Sequence, residues 1–455
     1  MGFRRGLALL VAATFFMEIV DATVIAPAAP AMAADLGVRS VDVNVTITAY
    51  VLTLGVLIPI SGWLTDRFGA RRIFATALVL FTLSSLACAL APNLVLLTAA
   101  RVVQGVGGAM MVPVGRLVVL RATPKTDLVR AVAYLTWPAL LAPVVAPVVG
   151  GLLAEYASWR WIFVINLPLG AAALIVALAI VPDLRASRPA PFDRVGFAWI
   201  AVGTAALVVA LEGLGSGFSP AVLVSAVVAV VGLGTAVRHL LRASNPLVDL
   251  RILRVPTFRI TAATGSVYRG IITAIPFVLP LLFQVGFGWT AARAGLVVIA
   301  LFVGNVGIKP ATTPLMRLFG IRTVLVVSIV VGAACLVGMA FLTPATPLPV
   351  LLGVLLLSGI ARSTGFTAYN SVAFADVDEP SMNHANTLLS TLQELGAGLG
   401  VAIGALLVRA GGAVTSDAVG PFRVALVLLA VLLVVPLIAA ARLSRAAGNV
   451  VTGRA

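Results

Sequence analysis

Eight charged residues sit inside long apolar runs, where a chain tolerates charge least: Glu18, Asp21, Arg101, Arg116, Arg269, Lys309, Arg362 and Glu394. Glu18 and Asp21 are spaced i, i+3 and share one face of a helix. Two carboxylates so close in a low-dielectric site resist joint ionisation, which suits one of them to hold a proton until a cation or a conformational change displaces it. Arg101 is their candidate partner, and a pair neutralised by Arg101 as structural glue is the competing reading. Glu394, beside Gln393, offers a second proton site, and burial against an arginine of the C-terminal half fits it equally. Arg116, Arg269, Lys309 and Arg362 are candidate cavity cations, although Lys309 and Arg116 can also snorkel to a membrane surface. Arg362 and Asn370 lie two turns apart and face alike. Gln104, Tyr50, Tyr134, Trp137 and Phe277 are further candidates for a substrate cavity, with core or interface packing as the alternative for the aromatics.

The remaining chemistry is sparse. His239 and His384 are the only histidines and fall in expected loops, and Cys88 and Cys335 lie far apart in apolar runs. No catalytic residue and no metal site is therefore expected. No G-x-x-x-x-G-K-[ST] occurs, so a P-loop ATPase is excluded. No cofactor is expected, and a proton gradient is the expected energy source. GVGGAM at Gly105 follows no strand and does not read as a dinucleotide loop. Gly396, Gly400 and Gly404 read as close helix packing.

The elements that must position these groups follow from composition. Of 455 residues, 61% are hydrophobic and 10% charged, with a mean hydropathy of +1.13. A soluble domain covers its surface with about 25% charged residues, so soluble enzymes, secreted disulfide scaffolds and disordered regulators are excluded, and the expected partner is the lipid bilayer. A spanning helix needs about 20 apolar residues. The chain divides into fourteen such runs, near 7–30, 44–64, 73–92, 94–119, 131–154, 161–181, 195–213, 220–237, 260–284, 294–315, 323–343, 348–372, 385–408 and 421–441. The N-terminal run after Arg4 and Arg5 also resembles a signal peptide, but Glu18 and Asp21 follow directly, which favours a first span. With the N-terminus inside, 21 of the 31 Lys and Arg fall in cytoplasmic segments and 5 in outer ones. This asymmetry places both termini in the cytoplasm and explains the net charge of +15 without a nucleic-acid partner.

A weak internal repeat supports a two-part plan. GWLTDRFGARR (Gly62–Arg72) aligns with TPLMRLFGIRT (Thr313–Thr323), placing Asp66 opposite Arg317. The same offset makes Glu18 and Arg269 equivalent, so an acidic wall of one half is expected to face a basic wall of the other. The spans group as a six-helix bundle (1–182), an inserted helix pair (183–240) and a second six-helix bundle (241–455). Two parallel halves with a midplane site between them form a transporter plan.

Several segments resemble a known family. GWLTDRFGARR, RVVQGVGGAMMVP (Arg101–Pro113), APVVGG (Ala146–Gly151), WRWIFVINLPLG (Trp159–Gly170) and MEIVDATVIAPAAP (Met17–Pro30) resemble motifs of the major facilitator superfamily, and within it of the fourteen-helix drug:proton antiporters. Ala146 and Ala26 stand where that family usually has Gly and Asn. YRG-x5-PFVLPLLFQVGFG (Tyr268–Gly288), with Lys309-Pro310, is most similar to the MdtD-type multidrug transporters. The resemblance implies an all-α polytopic membrane protein of the major facilitator fold, with about 14 helices arranged 6+2+6. It implies a monomer in the bacterial cytoplasmic membrane that exchanges external H+ for a drug or other small hydrophobic compound by alternating access. Asp21 matches the family's first-helix acid. Gly62, Asp66, Arg67, Gly69, Arg71 and Arg72 match a conformational lock of the outward-facing state, a stretch in which Arg71 and Arg72 also serve as basic anchors. Pro147, Gly150 and Gly151 match the antiporter motif. Spans 1, 4, 9 and 12 would line the cavity, and six of the eight in-span charges lie on them. Five in-span cations against three acids keep open an exporter of a metabolite or organic anion. An intramembrane enzyme lacks an in-span histidine or nucleophile–base pair, and a sensor lacks an output domain.

Overall fold

Lipid offers no hydrogen bonds, so an apolar chain must satisfy its backbone within its own helices. The computed structural model describes residues 5–38, 43–185, 191–216, 219–289, 291–444 and 447–448. Every regular element among these residues is helical. The first span comprises α1 (Arg5–Thr23) and α2 (Ile25–Leu36), with a bend at Val24. Pro27 has no N–H to give the Thr23 carbonyl, which accounts for the bend. The second comprises α3 (Asn44–Leu57), a 3₁₀ turn at Ile58–Ile60 and α4 (Ser61–Phe68). The lock segment from Gly62 is thus helical to Phe68. The turn is Gly69 alone, at φ +92°, a conformation that only glycine adopts without strain.

Next come α5 (Ala70–Leu90), α6 (Leu94–Arg121), α7 (Leu128–Tyr156), the short α8 (Trp161–Val164) and α9 (Asn166–Ile180). The inserted pair is α10 (Arg194–Ser216) and α11 (Pro220–Arg242). Span nine runs from α12 (Pro256–Ile260) through a π turn at Thr261–Gly265 into α13 (Ser266–Leu281) and a second π turn at Leu282–Gly286. α14 (Ala291–Gly307) and α15 (Lys309–Phe319) meet at 51°. Then follow α16 (Ile321–Ala340), α17 (Leu348–Ala373), α18 (Met382–Val414), α19 (Gly420–Leu432) and α20 (Val434–Ala441). Among the described residues twelve helices are long and apolar enough to span a membrane, and the bent α14–α15 pair makes thirteen. The 29-residue α7 stands where the fifth span is expected.

The repeat is visible in the backbone. Gly320, at φ +80°, is the single residue between α15 and α16, as Gly69 is between α4 and α5. Each glycine N–H bonds the carbonyl four residues back, Thr65 at 2.9 Å and Met316 at 3.0 Å. Elsewhere glycines set helix separation. A Cβ on Gly400 would collide with the Gly270 carbonyl, and one on Gly396 would lie 2.7 Å from the Ser266 oxygen, so α13 and α18 touch backbone to backbone. The GxxxG stripe is therefore a packing face.

The inserted pair joins tightly at Gly203 and Gly232. α10 also meets α3, where Gly55 faces Thr204, and α18, where Gly398 faces Leu211. Its outer helix α11 turns Leu223, Val224 and Val230 outward, 61–73% exposed, a face suited to lipid. Asp193 anchors the pair from outside the apolar zone. It accepts bonds from the Gly196 N–H at 2.7 Å, from His239 Nε2 at 2.9 Å and from the Leu247 N–H at 3.1 Å. Burial opposes its ionisation, but these bonds outweigh burial and hold its carboxyl below the usual carboxylate range. Its contribution is therefore complete above the ordinary carboxylate pKa and is lost as pH falls through the lowered value. Asp193→Ala should destabilise the α10–α11 attachment by about 1–3 kcal/mol at neutral pH. The difference from wild type should shrink in acid, as measured by thermal unfolding of purified protein between neutral pH and the carboxylate range.

Candidate functional site

The first-span acids face different surroundings. Asp21, 1% exposed, is saturated. Arg101 Nη1 lies 2.5 Å from its Oδ2, while Gln104 Nε2 and Asn166 Nδ2 donate to its Oδ1 at 2.9 and 2.8 Å. Ser85 joins the cluster by accepting from Gln104 at 2.7 Å, and Arg101 also donates to Gln104 Oε1 at 2.6 Å. The Arg101 guanidinium lies over the Tyr50 ring, 4.1 Å from its centroid. Spans 1, 3, 4 and 6 thus meet in a closed polar knot. Gln104, expected to line a cavity, is instead fully buried in this knot, and Arg101 is its central charge. Asn166 and Ser85 carry no sequence signal of their own. Asn166 lies within the WRWIFVINLPLG motif, whose Trp159 and Arg160 hold Asp35 at the opposite end of the bundle from Gly69.

Glu18, one turn earlier, has no such partner. Its Oε2 is buried without a hydrogen-bond partner among the described residues, as is the Tyr50 hydroxyl. Both groups approach Gly108, where a Cβ would lie 2.9 Å from the Tyr50 oxygen and 3.5 Å from Glu18 Oε1. The charges that bear on Glu18 are Glu394 and Asp21. Glu394 projects from α18 and is solvent-accessible. It is also the charge that bears on Arg269. Among the described residues no hydrogen bond or ion pair joins Glu18 to Arg269, and the charge of Glu394 bears on both.

Arg269 of α13 and Arg362 of α17 form the basic side. Arg269 stacks on Phe366, 4.9 Å from the ring centroid, one turn beyond Arg362. Tyr268 fixes the register of the two helices, its hydroxyl donating toward the Ala361 and Arg362 carbonyls at 3.3 and 3.4 Å. Arg269 Nε and Arg362 Nε and Nη1 have no hydrogen-bond partner among the described residues. Arg116 reaches across from α6, donating to Asn370 Oδ1 and, at 3.1 Å, to Gln393 Oε1. Gln393 Nε2 donates to Asn370 at 2.9 Å. Arg116, Asn370 and Gln393 therefore come together as a neutral-amide cradle for one cation.

Three expected cavity residues lie elsewhere. Lys309 donates to Thr367 at 2.7 Å and, with Tyr134, Arg130 and Arg317, lines a cavity of about 860 Å³ between α7 and the α14–α15 bend. Phe277 lines one of about 410 Å³ with Val51, Leu211 and Arg409. Trp137, Pro147 and Gly151 lie outside the described residues apart from their place in α7, in which Gly150 is buried.

The lock residues divide in the same way. Asn383 of α18 donates to the Gly62 carbonyl at 2.8 Å and to Asp66 Oδ2 at 2.5 Å, and Arg121 Nη1 lies 3.7 Å from Asp66 Oδ1. A side chain at Gly62 would strike Thr387 and Asn383. Arg71 donates to the Val181 carbonyl at 2.6 Å, while Arg67 and Arg72 are exposed. Asn386 adds a bond to the Pro113 carbonyl at 2.9 Å. Asn383 and Asn386, absent from the sequence-based site, hold the two bundles together at the end that bears the Gly69 turn.

Comparison with known proteins agrees with this architecture. The model of the Major Facilitator Superfamily matches residues 11–401. Proteins from Escherichia coli O6:H1 and Escherichia fergusonii, provisionally designated multidrug resistance protein MdtD, are each 40% identical over 409 residues, covering 88% of this chain and 85% of theirs. The crystal structure of the human organic anion transporter TETRAN superposes with a TM-score of 0.69 at 14% identity, over 96% of this chain and 99% of that one. The proton:xylose symporter XylE gives 0.65 at 12%, over 95% and 94%.

The contrast between the two acids is measurable. Asp21→Asn or Arg101→Ala strands one buried charge and should destabilise the protein by about 3–5 kcal/mol. Glu18→Gln, which breaks no bond, should leave thermal unfolding in detergent unchanged. Equal destabilisation by the two acid variants would contradict the assignment.

Proposed function

The chain belongs to the major facilitator superfamily, and from that premise we propose that it is a proton-coupled exporter of drugs or other small hydrophobic compounds across the bacterial cytoplasmic membrane, working by alternating access. The observation that supports this reading is Glu18, whose buried Oε2 has no hydrogen-bond partner among the described residues and on which the charge of Glu394 bears from the opposite bundle. When both are ionised, their like charges oppose closure of the midplane. A proton on either relieves the repulsion, and so does a cationic group of a drug. Proton and drug then exclude one another, which is the requirement for antiport. Asp21 and Arg101 hold the first span in place for this exchange rather than carrying the proton.

The charge asymmetry supports an orientation with the Gly69 and Gly320 turns and both termini at the cytoplasmic face. Asn383, Gly62 and Asp66 then form a cytoplasmic latch between two rocking bundles, 1–182 and 241–455. The pair 183–240 flanks their seam through the contacts of α10 with α3 and α18. Arg71 supports the latch through Val181, and the buried Gly150 lets α7 serve as the antiporter-motif helix. The working unit is a monomer with no cofactor beyond the proton gradient, and transport requires no bond chemistry.

Purified protein in proteoliposomes, acid inside, should accumulate ethidium only while the pH gradient persists. Glu18→Gln should lose gradient-driven accumulation yet retain exchange of labelled for unlabelled ethidium. Accumulation independent of the gradient in the wild type would overturn the antiport reading.

A further inference from the structure

The central groups are not arranged for a lipophilic cation alone. Arg362 is 7% exposed, yet two of its nitrogens have no hydrogen-bond partner among the described residues, and Arg269 beside it leaves its Nε unpartnered. A buried guanidinium with unmet donors is costly unless a ligand completes it. Their planar forks match a carboxylate. Phe366 under Arg269 and Phe302, 5.9 Å from the Arg362 guanidinium, are buried aromatic rings at the same place. Glu394 bears by its charge on both Arg269 and Glu18, and an amine would satisfy the two carboxylates.

We propose that the cargo is a zwitterionic amphipath, its carboxylate held by Arg269 and Arg362, its amine by Glu18 and Glu394, and its aromatic body against Phe366 and Phe302. The proposal rests on the export reading and gives it a substrate class. A cargo with only an amine leaves the two arginines unmet and adds positive charge beside them. A cargo with only a carboxylate brings a further negative charge beside Glu394 and draws protons in rather than displacing them, which couples in the wrong direction for antiport. The amine expels the proton and the carboxylate anchors the molecule.

Ciprofloxacin, which carries an amine and a carboxylate on a rigid aromatic body, is the probe, with its methyl ester and N-acetyl derivative as single-charge controls. Titration calorimetry on purified protein should give a Kd for ciprofloxacin about ten- to a hundredfold below that of either control. Arg362→Gln should erase the preference over the methyl ester, and Arg362→Lys should restore part of it. Arg269→Gln should do the same and covers the case in which an Arg362 variant fails to fold. Equal affinity for the three compounds, or an unchanged preference in both glutamine variants, would overturn the proposal. If ethidium export remains gradient-dependent while the three compounds bind alike, the substrate class is wrong and the exporter reading stands. Loss of gradient dependence for ethidium and ciprofloxacin together would overturn both.

Discussion

A charge in the middle of a lipid-solvated bundle must either be neutralised by a partner or face water, and the interior of this protein is organised by that requirement. Asp21 and Arg101 satisfy it between themselves, with Gln104, Asn166 and Ser85 completing the hydrogen bonds. Arg116 satisfies it with the amides of Asn370 and Gln393. Lys309 lies apart, donating to Thr367, and the groups left over are Glu18, Glu394, Arg269 and Arg362. They belong to four helices, α1, α18, α13 and α17, drawn from both bundles. Glu18 Oε2, Arg269 Nε and Arg362 Nε and Nη1 are buried without a hydrogen-bond partner among the described residues, and of the frame's charges only Arg101 Nη2 shares that condition there.

α18 links that site to the latch. Asn383, Asn386, Gln393 and Glu394 recur along it at spacings that share a helical face, spanning about 16 Å at 1.5 Å per residue. The first two bind the N-terminal bundle, the third receives Arg116, and the fourth bears by its charge on both Glu18 and Arg269. Farther along, Gly396 and Gly400 seat the helix on α13, which carries Arg269. One rigid element therefore carries both the closure contacts and a working carboxylate. A change of charge at Glu394 and a change of contact at Asn383 act on the same body.

The apolar spans, the in-span charges and the equivalence of Gly69 with Gly320 were legible in the sequence, because hydropathy, charge cost and a glycine turn are local properties. The division of labour between Glu18 and Asp21 was not. Their spacing shows that they share a face, but Asn166 and Ser85, which saturate Asp21, come from two other spans and resemble many other small polar residues there. For the same reason Gln104 read as cavity lining, since its burial depends on neighbours 19 and 83 residues away. The helical course of Gly62–Phe68 was hidden by its polar composition, although Gly69 marked the end correctly. The central position of Glu394 depends on how α18 crosses between bundles, which periodicity does not encode.

The account's central claim is that proton and drug compete for the Glu18 site. The most direct measurement is proton release on binding: ethidium added to purified protein in weakly buffered detergent with a pH indicator. Wild type should release protons as the dye binds, and Glu18→Gln should bind it with no release. Undiminished proton release from Glu18→Gln, with Asp21 and Arg101 intact, would contradict the account.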